Sequence, residues 1–198
     1  MSDHEPSRGP ELTDDALMGL YAGGDAEAFE ALFARHHAGV YHFALAMLRD
    51  VSSAEDVLQE TFLAVARTGR QYEPRGQFRT WLLRIVRNRC LNRLEARRVR
   101  SVVAGQAALD AAEPAAADPP PPRRAELDED LAATRRALEA LPPRQREAVV
   151  LYAMRQMPYR QIAEVLEVPV NTVKTLIHRA RAALAVALDA AHKDHPHD

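Results

Sequence analysis

The 198 residues carry 47% hydrophobic and 27% charged positions at a formal net charge of −2, enough for one ordinary domain or two small ones and too few for a large enzyme. The single cysteine, Cys90, excludes an internal disulfide and a cysteine-based zinc site. No stretch approaches ~18 uncharged apolar residues, and residues 1–10 are polar and acidic rather than a basic and apolar leader, so secretion and membrane spanning are not expected.

The N-terminal part is acidic, with Glu11, Asp14, Asp15, Asp25, Glu27 and Glu30 following residues 1–10, which are expected to be disordered. Leu17, Leu20 and Tyr21 predict a first helix, broken at Gly23-Gly24; Phe29, Leu32, Phe33 and Val40 then recur at helical steps. Leu58, Phe62 and Val65 repeat the pattern, and Asp56, Gln59 and Glu60 fall at i, i+3 and i+4 on an adjoining polar face. A loop over residues 69–76 leads to a helix on which Trp81, Ile85, Asn88 and Asn92 share a stripe, with Trp81 and Cys90 assigned to the core. Between Arg67 and Arg100 the chain holds eleven arginines against Glu73 and Glu95, which predicts a basic surface despite the negative total.

From Val102 to Arg124 the sequence turns to alanine and proline, with Pro119 to Pro122 consecutive and no apolar period. Repeated proline excludes a helix or central strand and favours an extended tether, which does not itself pack its neighbours rigidly together. It divides the chain into a domain over residues 11–101 and a second over 125–188, with 189–198 as a tail. In the second, Pro142-Pro143 opens a helix containing Ala148, Val149 and Leu151. Tyr159, Ile162, Ala163 and Leu166 mark another helix, then Glu167-Val168-Pro169 breaks the pattern. The last helix carries Val173, Ile177, Ala180 and Leu184 on one stripe and Asn171, Lys174, Thr175, His178 and Arg181 opposite. Two short amphipathic helices joined by a tight turn, the second with a cationic outer face, describe a helix-turn-helix whose second helix enters the major groove. Nothing alternates as a strand would. The fold class is all-α, two small helical domains joined by a flexible Pro/Ala-rich linker.

Catalysis is not expected. His36, His37 and His42 stand one, five and six residues apart, which does not place two ligands on one helix face, and no Glu-x-x-His pair completes a metal site. The sequence offers no catalytic residue, metal site, cofactor or small-molecule substrate site.

With those residues in hand, the chain resembles the extracytoplasmic-function (ECF) group of bacterial RNA polymerase sigma factors. Region 2 of that family is matched through Gly24-Asp25-Ala26-Glu27-Ala28-Phe29, Ala54-Glu55-Asp56-Val57-Leu58-Gln59-Glu60-Thr61-Phe62 and Phe78-Arg79-Thr80-Trp81-Leu82. Region 4 is matched through Leu141-Pro142, Tyr159-Arg160-Gln161-Ile162-Ala163-Glu164, Asn171-Thr172-Val173-Lys174 and His178-Arg179-Ala180-Arg181. The resemblance implies a protein that joins core RNA polymerase, recognises the minus-35 and minus-10 promoter elements and promotes melting. The competing reading is a helix-turn-helix regulator of duplex DNA that never joins the polymerase as sigma.

By the same resemblance, Asp56, Gln59, Glu60 and Leu63 would meet the clamp helices of the polymerase's largest subunit. Gln71, Tyr72 and Phe78 would offer a pocket for an unpaired minus-10 base, while Arg79, Arg84, Arg87, Asn88 and Arg93 line the strand's path. Asn171, Thr172, Lys174, Thr175, His178, Arg179 and Arg181 would read the minus-35 duplex. A separate anti-sigma protein, wedged between the domains, is implied as the inhibitor. The location implied is the cytoplasm, with retention at the membrane where the inhibitor is anchored there. Departures from the family's usual pattern are Glu167, where glycine is common in the turn and whose replacement implies another conformation or strain, Leu176 in place of a frequent arginine, which removes one DNA contact, Asn92 where aspartate is common, and Glu95 where the family tends to be basic.

Overall fold

The computed structural model describes residues 12–73, 76–103, 132–154 and 157–193. Among these are eight α-helices, one 3-10 turn and no strand: α1 (Asp14–Ala22), α2 (Ala26–Leu48), α3 (Val51–Thr68), the turn Gly69–Gln71, α4 (Phe78–Val103), α5 (132–140), α6 (Pro143–Ala153), α7 (Tyr159–Leu166) and α8 (Val170–Lys193). The segment 1–10 and most of the expected tether, 104–124, lie outside the described residues. At their edges the helices run on: α4 continues to Val103, past the expected start of the tether, and α8 to Lys193, past the expected end of the domain. Helix α5 has no counterpart in the sequence reading.

Short polar side chains set the starts of α1, α2 and α3. The Thr13 hydroxyl accepts the Ala16 N–H, Asp25 accepts those of Glu27 and Ala28, and Asp50 accepts that of Ser53 at 2.8 Å. Asp14 ties α1 to α2, receiving Arg35 at 2.6 Å and His36 at 2.8 Å. Burial alone would raise the Asp14 carboxyl; the hydrogen bond and charge of His36, then those of Arg35, hold it below its ordinary value. Only Arg49 and Asp50 separate α2 from α3, and Arg97 of α4 closes that corner by donating to the Leu48 carbonyl, Asp50 and the Ser53 hydroxyl. Tyr21 lies so close over Gly69 that a Cβ there would stand 2.7 Å from its ring, so the α3 terminus admits no side chain.

Helix α4 packs on α2 and α3 with one side and on α7 with another. Its buried apolar residues, among those described, are Phe78, Leu82, Leu83, Val86 and Cys90. The stripe expected from the sequence runs beside them instead: Trp81 and Ile85 are half-buried, Asn88 and Asn92 exposed. A helix with partners on two sides has no single apolar stripe, so spacing alone chose the wrong edge. Cys90 does sit in the core, where burial pushes its thiol up to about 12.

In the second unit α7 and α8 cross at a tight turn. Glu167 takes the left-handed conformation, φ 56° and ψ 47°, at the position where glycine is common. It keeps the turn's geometry at a cost of about 1 kcal/mol. Val173, Ile177 and Ala180 are buried as their spacing predicts, with Leu184 half-buried below them.

The two units pack directly, α4 against α7 and α2 against α6, and one continuous core runs from Leu17 to Ile177. The tether need not hold them, because their faces do. At this junction Arg87 of α4 donates through Nε to Glu147 of α6 at 2.9 Å, with side chains only 7% and 3% exposed. Glu147→Ala would leave Arg87 buried without its counter-charge, a penalty of about 3–5 kcal/mol in the closed arrangement. Swinging α6 and α7 away from α4 returns Arg87 to water at lower cost. The expected outcome is a larger radius of gyration by small-angle X-ray scattering with helical circular dichroism unchanged; a variant as compact as the parent contradicts this role for the pair.

Candidate nucleic-acid and partner interface

A cleft of about 410 Å³ opens where the 3-10 turn meets the start of α4, walled by Gln71, Tyr72, Gln77, Thr80, Trp81 and Arg84. The Tyr72 hydroxyl donates to Asp15 at 2.7 Å, and the Gly76 N–H donates to the same oxygen, which fixes the loop against α1. Burial, then Asp15, raises the Tyr72 phenol, so it stays protonated. The rings of Tyr72 and Trp81 lie 5.0 Å apart, and the Thr80 hydroxyl, on the cleft wall, is buried without a hydrogen-bond partner. Such a group is satisfied by a polar ligand atom or by water.

Two expectations change here. Phe78 is 1% exposed and belongs to the core, where it backs Tyr72 and Trp81 at 5.8 and 5.7 Å. It supports the cleft rather than facing it. Trp81, assigned to the core, is instead half-buried and forms a wall. Gln77 carried no signal of its own in the sequence, and Thr80 only its place in the Phe78-Arg79-Thr80-Trp81-Leu82 match.

The arginines of α4 are less free than their run suggested. Arg79 donates to the Met154 carbonyl, Arg84 to the Glu164 carbonyl at 2.9 Å, and Arg87 to Glu147, so three of the predicted strand-path residues hold the second unit. Arg87, 6% exposed, cannot line a strand's path while α6 covers it. Arg93 turns the other way, to Asp56 at 3.2 Å and Glu60 at 2.6 Å, and Arg89 joins Glu60 at 2.9 Å. Burial pulls the Arg93 guanidinium down, but Glu60 and then Asp56 outweigh it and raise it. Asn88 and Gln71 are exposed.

On α3 the predicted polar face exists as a face: Asp56 and Gln59 are exposed, Glu60 half-buried, and Leu63 48% exposed in spite of its apolar chain. On α8, Asn171, Thr172, Lys174, Thr175, His178, Arg179 and Arg181 are all exposed. The Thr175 hydroxyl donates to the Asn171 carbonyl at 3.0 Å, leaving its lone pairs outward. Leu176 is half-buried against the core, as its place beside Val173 predicts.

The two halves of this arrangement match two described sequence regions. "Sigma-70 region 2" matches residues 32–100, and "Sigma-70, region 4" matches residues 131–184. The ECF RNA polymerase sigma factor SigM of Mycobacterium tuberculosis is 35% identical over 88% of this chain and 84% of its own length. This chain belongs to the ECF group of the sigma-70 family. RNA polymerase sigma factor CarQ of Myxococcus xanthus is 37% identical over 82% of this chain and 90% of its own. Among solved structures, CnrH in complex with the cytosolic domain of CnrY superposes with a TM-score of 0.67 at 29% identity, covering 89% of this chain and 97% of that one. RpoE of Bartonella quintana, in complex with the anti-sigma factor NepR, reaches a TM-score of 0.69 at 21% identity over 83% of this chain and 98% of that one, a likeness of fold. The sigma factor thus places region 2 in α2 to α4 and region 4 in α5 to α8. An independent duplex-binding regulator leaves the region 2 match without a purpose.

If the cleft takes an unpaired base, Tyr72→Ala removes a stacking partner worth roughly 1–3 kcal/mol. Open-complex formation on duplex template is expected to fall on the order of tenfold, and a pre-melted template to restore most of it. Lys174→Ala or Arg181→Ala should lose minus-35 recognition on both templates. Equal rescue of all three variants contradicts the division of labour.

Proposed function

We propose that the chain joins core RNA polymerase through Asp56, Gln59, Glu60 and Leu63 of α3, reads the minus-35 duplex with the outer face of α8, and captures an unpaired minus-10 base in the cleft at the start of α4. The observation that carries this reading is the presence in one chain of an exposed cationic helix-turn-helix face and an aromatic cleft beside a row of arginines. Opening duplex DNA costs about 1.4 kcal/mol per base-pair step, so ten steps need on the order of 14 kcal/mol. Neither small unit supplies that alone; a polymerase platform with stacking and phosphate contacts does. The strand's path is Arg79, Arg84, Arg87, Asn88 and Arg93; parting α4 from α6 and α7 frees the first three, Asn88 is already exposed, and Arg93 is held by α3. Gln71, Tyr72, Gln77, Thr80 and Trp81 line the base site, with Phe78 behind it.

The working units are residues 11–101 and 125–188, extended by the helical residues at their ends. The chain acts as a non-catalytic initiation factor in the cytoplasm; none of the helices among the described residues is long and apolar enough to cross a membrane. An anti-sigma protein is the proposed inhibitor, retaining the chain at the membrane where that inhibitor is anchored. Its support is the cavity of about 910 Å³ between the units, lined by Leu82, Leu83, Val149, Val150 and Leu184, together with the solved relative bound to an anti-sigma factor.

Replacing Asp56, Gln59 and Glu60 together by alanine should abolish binding to core polymerase, measured by gel filtration, with helicity intact because alanine favours the helix. Normal complex formation by the triple variant would falsify the docking face.

A further inference from the structure

Asp56 and Glu60 stand one turn apart on α3, Arg89 and Arg93 one turn apart on α4, and the four side chains interlock. Arg93 spans both carboxylates and Arg89 takes the remaining oxygen of Glu60. The side chains are between 28% and 54% exposed, so an incoming charged group reaches them. The carboxylates lie on the proposed docking face, and Arg93 on the proposed strand path. Each surface therefore occupies the charges of the other.

We infer that this ladder is a charge exchange between two interfaces: a cationic polymerase helix docking on Asp56 and Glu60 takes over their carboxylates and releases Arg89 and Arg93 to the phosphates of the unpaired strand. The inference rests on the docking face proposed above and adds Arg89 to the strand path. A guanidinium held at 2.6 Å from a carboxylate has little net charge to offer a phosphate. Half-exposed pairs of this kind are individually weak, so a partner exchanges them without unfolding either helix. Arg89 also has its Nε buried and unpartnered in the closed ladder, so turning outward costs it no hydrogen bond there. Linkage makes the exchange reciprocal: whatever factor docking adds to strand affinity, a bound strand adds to docking.

Glu60→Gln removes the charge that both arginines share while keeping the side chain's shape. The full-length variant, without polymerase, is titrated by fluorescence anisotropy against a mixed-sequence single strand of about 20 nucleotides at several salt concentrations. Binding about fivefold tighter than the parent is expected, with a log-log salt slope steeper by about 0.7 for each arginine released. Glu55→Gln, the same charge change on the same helix, should alter affinity less than twofold. The gain should vanish when Glu60→Gln is placed on Arg89→Gln/Arg93→Gln. Glu60→Gln binding no tighter than Glu55→Gln, or a gain that survives loss of both arginines, overturns the exchange. Core polymerase binding by the same variants separates the two readings. If Glu60→Gln weakens polymerase binding but leaves strand binding unchanged, the exchange alone fails. If it tightens strand binding and the triple alanine variant still binds polymerase, the docking face fails, and the polymerase falls as the trigger.

Discussion

The buried contact between Arg87 and Glu147 governs how the rest of the chain is arranged. Two charges removed from water repay their desolvation only in good geometry, and this pair sits at 2.9 Å between helices from different halves of the sequence. Around it, Arg79 and Arg84 hold carbonyls of the second unit. Helix α4 thus serves as the floor of one unit and as the clasp of the other. The same guanidinium groups suit nucleic-acid phosphates, so the closed arrangement and the proposed strand capture would draw on one set of donors.

Net charge conceals this economy. The chain is close to neutral, yet the basic run of α4 and the acidic positions elsewhere meet in pairs: Arg87 with Glu147, Arg89 and Arg93 with Glu60, Arg97 with Asp50. Most of these pairs are half-exposed and individually weak. Their arrangement matters more than their sum: Arg87 with Glu147 joins the two units, Arg97 with Asp50 closes the α2–α3 corner, and Arg89 and Arg93 with Glu60 join α4 to the exposed face of α3.

Much of the architecture was legible in the sequence because each element carried its own period. Val173, Ile177 and Ala180 announced the buried face of α8, and the opposite polar set is exposed as the spacing required. Glu167 was legible as an anomaly, and the chain absorbs it as backbone strain. The failures share one cause, contacts between distant segments. Periodicity cannot register that α4 has partners on two sides, so Phe78 was set in a pocket when it is core, and Trp81 in the core when it packs against that core and also walls the cleft. Nor can it foresee that Arg87 pairs with a glutamate sixty residues away. Helix α5 was missed because no apolar period was read between Arg124 and Pro142.

The two proposed nucleic-acid surfaces differ in accessibility, and on that reading the difference implies an order of events. The outer face of α8 is open as the chain stands, whereas Arg79, Arg84 and Arg87 are engaged at the junction of the units. On the proposed assignment, a paired double helix would be sampled without any rearrangement, whereas a strand laid along Arg79, Arg84 and Arg87 would require the junction to part first. Under the proposed function, wandering along chromosomal DNA and committing to one site would be distinct acts of the same molecule, the second waiting on whatever opens the clasp.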